Sequence, residues 1–424
     1  MNAPRPLMSL DEALQRLLSV AAERVMAEDE TVSTWDAWGR VLAQDLHSAL
    51  EVPPADNSSM DGYAVRSCDV AEAGMAWPVS QRIPAGHPGA ALLAGTVARI
   101  FTGAHLPEGA DAVVMQEQTQ VLDDGRVRFL AAAQAGQWVR RRAEDVALGA
   151  VVLSRGTRLT PQALGLAASV GAASLRVKRR PRVALFSTGD ELVMPGQPLK
   201  PGAIYNSNRF TLHALLQSAG CEVADLGIVP DRLDATCAAL RAAAQTNDLI
   251  VTSGGVSVGE EDHLRPAMLA EGRLDLWQIA MKPGKPLAFG AVRRGAAGND
   301  GTGANAASDA EALFVGLPGN PVSSWVTCLL TVLPLLRALQ GMPDRPPQSL
   351  ELKAGFDWPK PDKRREFLRV QLNAAGRLEL FANQSSGVLT SAHWADGLVD
   401  NPPGQAVRQG DSVRYLALSQ WLQG

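Results

Sequence analysis

Residues 182–189, RVALFSTG, and residues 248–255, DLIVTSGG, decide the fold. Each is a run of apolar residues that ends in small polar residues and glycine, as a buried strand does where it enters a turn. Further strand candidates follow at 221–229, 274–281, 286–290 and 312–319, and helical spacing separates them at 210–218, 234–244 and 322–339. Strands that alternate with helices form right-handed β-α-β units. The sequence therefore predicts a three-layer α/β domain with a mostly parallel sheet at residues 180–341.

Smaller units are predicted on both sides of this domain. Residues 9–12, SLDE, form a capping box that opens a helix, and a second helix begins at Thr160, with Pro161 in its first turn. Residues 51–137 contain many Pro, Gly and Val residues in short alternating runs, which predicts a β-rich domain inserted into an N-terminal helical and extended domain (1–50 and 138–179). Residues 342–424 are β-rich with Gly and Asn turns, and we expect a separate C-terminal β-barrel-like domain.

Composition excludes several classes of protein. Hydrophobic residues make up 46% and charged residues 20% of the 424 residues, and the net charge is −4. The chain lacks the general basic field of a nucleic-acid-binding protein, so any anion must be held by a local cluster of charge. The longest apolar run, 325–336, is shorter than the ~20 residues of a membrane span, and the N-terminus has no apolar signal core. The four cysteines have no metal-finger spacing, which favours reduced, mostly buried thiols and a cytoplasmic protein.

Unusual polar turns follow the predicted strands. Ligands of parallel sheets bind outside the carboxyl ends of the strands. Residues 187–191, STGDE, and 253–259, SGGVSVG, combine hydroxyls with glycines, which suits a phosphate cradle. The acids at 260–262 would repel a phosphate unless Mg²⁺ lay between them. As isolated segments, the first could be an ordinary turn with a helix cap and the second a glycine-rich turn that only helps packing.

Two further turns are expected at the same edge. Residues 281–286, MKPGKP, hold two lysines on a rigid backbone, which suits an oxyanion, although exposed lysines are usually solvated. Residues 317–324, LPGNPVSS, open a helix whose free N–H groups would face the same edge. Four such turns at one edge favour a binding site over four coincidences.

Three other segments show weaker patterns. Residues 56–63, DNSSMDGY, and 140–145, RRRAED, are acidic spots that could be ordinary loops. Residues 294–309 are of low complexity and are predicted to form a surface loop. Within them, residues 301–306 match a loose dinucleotide fingerprint, which we reject because no strand precedes it and no helix follows it.

Taken together, long motifs in a fixed order make the chain similar to one family. These are GRVLAQDL, DNSSMDGYAV, IFTGAHLPEGADAVVMQE, RRRAEDV, STGDEL, YNSN, SGGVSVGEEDH, MKPGKP, LPGNPVS and RREFLR. The chain resembles the molybdopterin molybdenumtransferases, which include the E domain of gephyrin and its plant counterparts. The resemblance implies an Mg²⁺-dependent enzyme that inserts molybdate into adenylated molybdopterin and releases AMP and the molybdenum cofactor.

The resemblance also implies roles for individual residues. Catalytic roles fall on the acids and lysines of the family cleft: Asp61, Asp145, Glu191, Asp231, Asp262, Lys282 and Lys285. Pterin phosphate and nucleotide would be bound by Thr188, Gly189, Asn208, Ser253, Gly254, Gly255, Ser257, Gly319, Asn320 and Pro321. Molybdate would be bound by Lys282, Lys285, Pro286, Ser323 and Arg365, and Mg²⁺ by Glu191 and Asp262.

The resemblance further implies a homodimer whose active site is shared between subunits, so that Asp61 of one subunit reaches the α/β domain of the other. Implied partners are the molybdopterin adenylyltransferase and recipient molybdoenzymes, with no nucleic acid and no membrane. Three alternatives are an adenylyltransferase of the same pathway, a scaffold, and a pterin-binding paralogue with a degraded site. The additional domains argue against the first, the lack of a linker or second module against the second, and the complete set of acids and lysines against the third.

Overall fold

The computed structural model describes residues 7–256, 263–295 and 310–422. Up to residue 178 the elements are α1 (Leu10–Ala22), β1 (Asp29–Ser33), β2 (Leu46–His47), β3 (Asn57–Ser58), β4 (Gly62–Val65), β5 (Ala76–Ile83), β6 (Val97–Ile100), β7 (Ala112–Met115), β8 (Thr119–Val121), β9 (Arg126–Phe129), β10 (Val139–Arg140), β11 (Val151–Leu153), α2 (Pro161–Ser169) and β12 (Ser174–Lys178). Short 3₁₀ turns lie at Thr34–Asp36, Ser67–Val70 and Gln116–Gln118. Strand β1 pairs with β12 and β2 with β11, whereas β7-β4-β6-β5-β9-β8 form a six-stranded sheet between them. The chain therefore leaves its first unit after β2 and returns to it at β11.

Both predicted helix starts in this part are confirmed. The Glu12 N–H donates to the Ser9 hydroxyl at 3.2 Å, and the Ser9 N–H donates to the Glu12 carboxylate at 3.0 Å, which is the reciprocal capping box. Helix α2 begins at Pro161, and the Thr160 side chain accepts a hydrogen bond from the Ala163 N–H.

The central unit is the predicted three-layer α/β domain. Its elements are β13 (Arg182–Thr188), β14 (Leu192–Val193), β15 (Ile204–Tyr205), α3 (Ser207–Ser218), β16 (Glu222–Val229), α4 (Leu233–Thr246), β17 (Leu249–Ser253), α5 (Leu264–Glu271), β18 (Gly272–Gln278), β19 (Met281–Lys282), β20 (Pro286–Arg293), β21 (Glu311–Leu317) and α6 (Pro321–Leu339). The main sheet has the order β16-β13-β17-β21-β20-β18. The first four strands are parallel, and β20 runs antiparallel to both of its neighbours. One buried cluster packs α1, α3 and α6 on one face of the sheet, and another packs α4 and α5 on the opposite face.

Two details of this domain differ from the sequence prediction. Helix α5 was not predicted, because Pro266 interrupts a short helical pattern. The single strand predicted at 274–281 is divided: β18 belongs to the α/β sheet, whereas β19 pairs with a strand of the C-terminal unit. The division occurs because the Ile279 N–H donates to the Lys285 carbonyl and the Ala280 N–H to the Met8 carbonyl, outside either sheet.

Helix α6 confirms the helix predicted at 322–339 and extends beyond the apolar run 325–336 at both ends. Its 19 residues have the length and composition of a membrane span, but it is mostly buried within the protein, as the central helix of a packed core is. A π-helical segment, Cys328–Val332, interrupts it. Its apolar composition is thus explained by packing against the sheet and α1.

The C-terminal unit is a closed barrel. Its elements are β22 (Leu350–Ala354), β23 (Arg365–Leu372), β24 (Arg377–Leu380), α7 (Leu389–Trp394), β25 (Gly397–Asn401), β26 (Ser412–Ala417) and α8 (Ser419–Leu422). Five strands follow in the order β23-β24-β22-β26-β25, and β25 pairs again with β23. Strand β19 of the α/β domain adds to this barrel beside β23.

The four cysteines are free thiols with different exposure. Cys221 and Cys328 are buried, Cys237 is half-buried and Cys68 is exposed. Burial raises the pKa of the Cys221 thiol to about 12 and also raises the pKa of Cys328. The prediction of buried thiols is therefore confirmed for Cys221 and Cys328 and in part for Cys237, but it is wrong for Cys68.

We expect Ellman's reagent at pH 8 to modify Cys68 of the native protein at least ~100-fold faster than Cys221 and Cys328, because the thiolate is the nucleophile and burial disfavours it. The Cys68→Ser variant should lose the fast phase, and all remaining thiols should react quickly in guanidinium chloride. Fast modification of Cys221 or Cys328 in the native protein would contradict their burial.

Candidate functional site

A cleft of about 710 Å³ lies at the carboxyl ends of the parallel strands. The chain passes from β13 to β16 on one side and then returns to β17 on the other side, so the strand order reverses at β13. Such a reversal opens a crevice between the turns that follow the two strands. All four predicted turns contribute to the lining. The lysine turn does so because β20 runs antiparallel to β21, which places the first residue of β20, Pro286, at this edge. The cleft is lined by the predicted residues Thr188, Gly189, Glu191, Asn208, Asp231, Ser253, Gly254, Gly255, Pro286, Gly319, Asn320, Pro321 and Ser323.

The glycine pair after β17 lets two turns approach each other. Gly254 and Gly255 have φ angles of +91° and +65°, in the left-handed region that favours glycine. A Cβ atom on Gly254 would lie 2.5 Å from the Thr188 carbonyl oxygen, and one on Gly255 would lie 2.7 Å from the Thr188 hydroxyl. These glycines are therefore required for the shape of the cleft floor.

Two buried polar atoms at the cleft have no hydrogen-bond partner among the described residues. One is the Thr188 hydroxyl and the other is the Asn206 side-chain nitrogen; Asn206 is 1% exposed. Buried donors are normally satisfied, so these two are available to a ligand. Asn206 was not predicted as a site residue, although its position as the N-cap of α3, within the YNSN motif, could have indicated it.

Asn208, which was predicted to bind substrate, has a different contact. Its side-chain nitrogen donates to the Gly319 carbonyl at 2.7 Å, so it fixes the turn before α6. The Ser187 and Ser253 hydroxyls, 3.1 Å apart, join the ends of β13 and β17 in the same way. These bonds hold three of the turns together before any ligand binds.

The start of α6 offers donors at the opposite wall. The Val322 N–H donates to the Ser386 carbonyl, and the Ser324 N–H to the Asn320 carbonyl. Neither the N–H nor the hydroxyl of the buried Ser323 has a partner in the part of the chain that the structure describes. A helix N-terminus with a free N–H favours a bound anion.

The lysine turn lies between the cleft and the barrel. Lys282 in β19 is bonded to the Glu366 carboxylate at 3.2 Å and lies 3.6 Å from Asp362. Lys285 is exposed, precedes Pro286 of the cleft, and has no ion pair within the described ranges. Gly284, with φ +110°, packs so closely on α6 that a Cβ atom would lie 2.4 Å from the Thr327 hydroxyl. Of the two lysines, only Lys285 has a charge that is not already paired within these ranges.

Two acidic side chains line the cleft. Glu191 follows β13 and Asp231 follows β16, and the Glu191 carboxylate has no hydrogen bond to any described residue. The described residues include no group of three or more His, Cys, Asp or Glu side chains that could enclose a metal ion. Mg²⁺ commonly uses only one or two carboxylates together with substrate phosphates and water, so the acids present fit that ion. The predicted residues Ser257 and Asp262, and the loop at 296–309, lie outside the described residues.

Asp61 and Asp145 are not among the residues that line this cleft. Asp61 accepts hydrogen bonds from the N–H and hydroxyl of Thr102, both at 2.8 Å, and the backbone bond is the main cause of its lowered pKa. Arg141 bonds to Asp56 at 2.8 Å, and β3 pairs with β10, so the two acidic motifs adjoin each other. The structure thus brings these motifs together, but away from the cleft of the same chain.

Arg365 also lies outside the cleft lining. Its guanidinium donates to Asp400 at 2.6 and 2.8 Å and to Asp11 at 2.8 Å. These ion pairs raise the pKa of Arg365, mainly through the bond to the buried Asp400. In this structure the side chain joins α1 to the barrel.

The cleft therefore combines a phosphate-type cradle with a nearby free cation and two carboxylates. Glycine turns and a helix N-terminus supply N–H donors, and Lys285 lies at the margin. Such a site suits a ligand with phosphate groups and an additional oxyanion.

Family models for three protein regions match this chain. They are described as the MoeA N-terminal region (domain I and II) at residues 8–171, a probable molybdopterin binding domain at 184–338, and the MoeA C-terminal region (domain IV) at 351–418.

Complete proteins match over nearly the whole length. The chain is 39% identical to the molybdopterin molybdenumtransferase of Haemophilus influenzae, over 88% of this chain and 89% of that protein. It is 35% identical to the molybdopterin molybdenumtransferase of Bacillus subtilis, over 98% and 95% of the two chains. A crystal structure of the molybdopterin biosynthesis MoeA protein from Pyrococcus horikoshii OT3 superimposes with a TM-score of 0.81 at 26% identity, covering 97% of this chain and 100% of that one.

Proposed function

The chain belongs to the molybdopterin molybdenumtransferase family, and from this premise we propose that its cleft transfers molybdate to adenylated molybdopterin and releases AMP. Membership places the protein among the transferases of molybdenum cofactor biosynthesis. The observation that supports the particular reaction is the convergence of four polar turns on one cleft, at the reversal of strand order.

The residues of the cleft divide into two groups by what they can bind. The glycine turn after β17, the Thr188 hydroxyl and the Asn206 amide provide donors for phosphate oxygens. For the second oxyanion, Lys285, which precedes the lining residue Pro286, provides positive charge, and the Ser323 N–H provides a hydrogen-bond donor. Cleavage of a phosphoanhydride leaves extra negative charge on the departing phosphate, and fixed donors stabilise that charge without reorganisation. No protein nucleophile is required.

Magnesium is part of the proposal. Glu191, with Asp262 as the second ligand expected from the sequence, would hold the ion, and Asp231 lines the same cleft. When bound, Mg²⁺ would neutralise charge on the phosphate oxygens. Without the ion, two carboxylates beside a phosphate cradle would repel the substrate.

The test is AMP release from adenylated molybdopterin by the purified protein, with each of molybdate and Mg²⁺ present or omitted. We expect release to need both ions and the product to activate an apo-molybdoenzyme. Tight pterin binding without AMP release would instead favour a binding or scaffold role. AMP release without added Mg²⁺, in the presence of a chelator, would overturn the magnesium assignment alone.

We expect Lys285→Ala to raise the molybdate concentration needed for half-maximal AMP release by about 10–100-fold, because one charge-assisted hydrogen bond contributes ~1.5–3 kcal/mol. Pterin binding should change little. Lys200→Ala removes another exposed lysine of the same domain that does not line the cleft, and it serves as the matched control. An unchanged molybdate requirement in Lys285→Ala would exclude this role.

We also propose a cytoplasmic homodimer with a shared active site, which interacts with the adenylyltransferase and with recipient molybdoenzymes. Support for the dimer comes from Asp61 and Asp145, which belong to the family motifs but do not line the cleft of their own chain. Trp35, 91% exposed, lies in an apolar surface with Leu164 and Ala172, as expected of a surface covered by a second subunit.

Mixing two impaired variants tests the shared site, at a molybdate concentration that supports the wild type but is too low for Lys285→Ala. Asp61→Asn and Lys285→Ala, refolded or co-expressed together, would form hybrid dimers with one intact site each, so roughly a quarter of the wild-type activity should return. Sedimentation velocity of the wild type should give a dimer. A monomer, or a mixture without recovered activity, would contradict the arrangement.

A further inference from the structure

A second cleft lies at the opposite end of α6 from the catalytic turns, where α2, the end of α6 and α8 meet. It measures about 540 Å³ and has no lining residue in common with the first cleft. We call it the arginine cleft; its defining residues are Leu153, Arg158, Leu166, Arg337, Met342 and Gln420. Arg345 also lines it, and no Asp or Glu of the described ranges does.

Arg158 and Arg337 have few partners. Each is half-buried, and each donates one hydrogen bond to a backbone carbonyl: Arg158 to Ser218 at 2.8 Å and Arg337 to Gln420 at 3.1 Å. Neither forms an ion pair with a described residue. A guanidinium has five N–H donors, so most of the donors of both side chains remain unused.

The two cations also repel each other. Burial is the main cause that lowers the pKa of Arg158, and the charge of Arg337 lowers it further. Burial likewise lowers the pKa of Arg337. Buried arginines are normally paired, as Arg179 of the neighbouring domain is with Asp248. Two partly buried arginines without an acidic partner are therefore unfavourable unless an anion binds to them.

Gln420 adds a third unsatisfied donor. Its side-chain nitrogen is buried and has no hydrogen-bond partner among the described residues. The guanidinium groups of Arg158 and Arg337 and the buried side-chain nitrogen of Gln420 are all donors. Their common complement is a group that only accepts hydrogen bonds and carries negative charge, such as a phosphate or a similar oxyanion.

Part of the wall is apolar. Leu153, Leu166 and Met342 line the cleft beside the arginines. Its volume falls within the range of about 300–1,000 Å³ that is usual for small-molecule sites and exceeds the need of a bare oxyanion. We propose that the arginine cleft binds a phosphate-type oxyanion, with space for the organic part of a phosphomonoester.

The test uses ribose 5-phosphate and inorganic phosphate as probes, in titration calorimetry at constant ionic strength. Because the catalytic cleft is also proposed to bind phosphate, the comparison is made in the Gly254→Ala background. That variant should bind both probes, and adding Arg337→Met should weaken this binding at least about tenfold, since it removes the guanidinium. Gly254→Ala, which alters the catalytic cleft, should leave this site intact. Tighter binding of ribose 5-phosphate would identify a phosphomonoester as the ligand, and equal binding would identify the free ion.

Thermal unfolding provides a second readout. Without probe, Arg337→Met should unfold at a higher temperature than the wild type, because the repulsion of Arg158 is removed. Phosphate should stabilise the wild type more than it stabilises Arg337→Met. Arg128→Met, which removes an exposed arginine elsewhere, controls for the change in net charge. Should the methionine variant not fold, Arg337→Lys keeps the charge but loses the planar fork, and its binding should also be weaker. Unchanged phosphate binding in the Arg337 variants would overturn the proposal, whatever the outcome at the catalytic cleft.

Discussion

Gly254→Ala is expected to reduce AMP release by about 100-fold. The added Cβ atom would lie 2.5 Å from the Thr188 carbonyl oxygen, so the turns after β13 and β17 must separate. A displacement of about 1 Å at a catalytic cleft can by itself lower a rate by ~10²-fold. The measurement is the rate of AMP release at saturating molybdate, together with the affinity for the pterin substrate.

The Gly196→Ala variant is the control that separates the effect of backbone strain from the effect of a changed cleft shape. Gly196 has a φ of +92°, almost the same as Gly254, but apart from its two chain neighbours no described residue has an atom within 4 Å of the point where an added Cβ would stand. Both variants should lose about 1–2 kcal/mol of stability from the left-handed backbone, but only Gly254→Ala should lose activity. Similar activity in the two variants would show that the approach of the two turns is unimportant.

Arg365→Ala is expected to lower the free energy of unfolding by roughly 2–3 kcal/mol. Asp400 is 1% exposed and receives two hydrogen bonds from Arg365, so its charge would lose most of its compensation. Arg414 also contacts Asp400, at 2.8 Å. Because this second ion pair remains, the expected loss of unfolding free energy is at or below the usual range for breaking a buried ion pair. Urea unfolding followed by tryptophan fluorescence measures the change.

The control for Arg365 is its neighbour. Arg364 pairs with the more exposed Asp362, and Arg364→Ala should cost no more than about 1 kcal/mol. The molybdate requirement of stably folded Arg365→Ala protein decides between the two roles of the residue. A raised requirement would support the molybdate contact inferred from the resemblance, whereas an unchanged one together with lower stability would assign Arg365 to the joint between α1 and the barrel.

Sequence patterns were sufficient for the α/β domain because its signals are local. Apolar runs ending in glycine predicted β13 and β17, and the parallel geometry then placed their turns at one edge. The convergence of four turns followed from topology, and it needed no knowledge of individual contacts.

Contacts between distant segments were not predictable in this way. The pattern at 274–281 is apolar throughout, and its division between two sheets depends on partners at Met8 and Lys285. Arg365 has the charge expected of an oxyanion ligand, but only the fold reveals Asp11 and Asp400 beside it. Asn206 is missed for a similar reason, since a helix-capping asparagine is common and its unpaired amide becomes evident only when buried.

Strand β19 contributes the first lysine of MKPGKP to the barrel sheet, while the same turn reaches the cleft at Pro286. The oxyanion end of the cleft and the C-terminal unit therefore share one stretch of backbone. We expect a ligand that immobilises this turn to slow amide hydrogen exchange in β23 and, by reciprocity, a mutation that loosens the barrel to weaken the binding of that ligand. If this turn holds the oxyanion as proposed, the affinity for that ligand depends on residues of the barrel as well as on residues of the cleft.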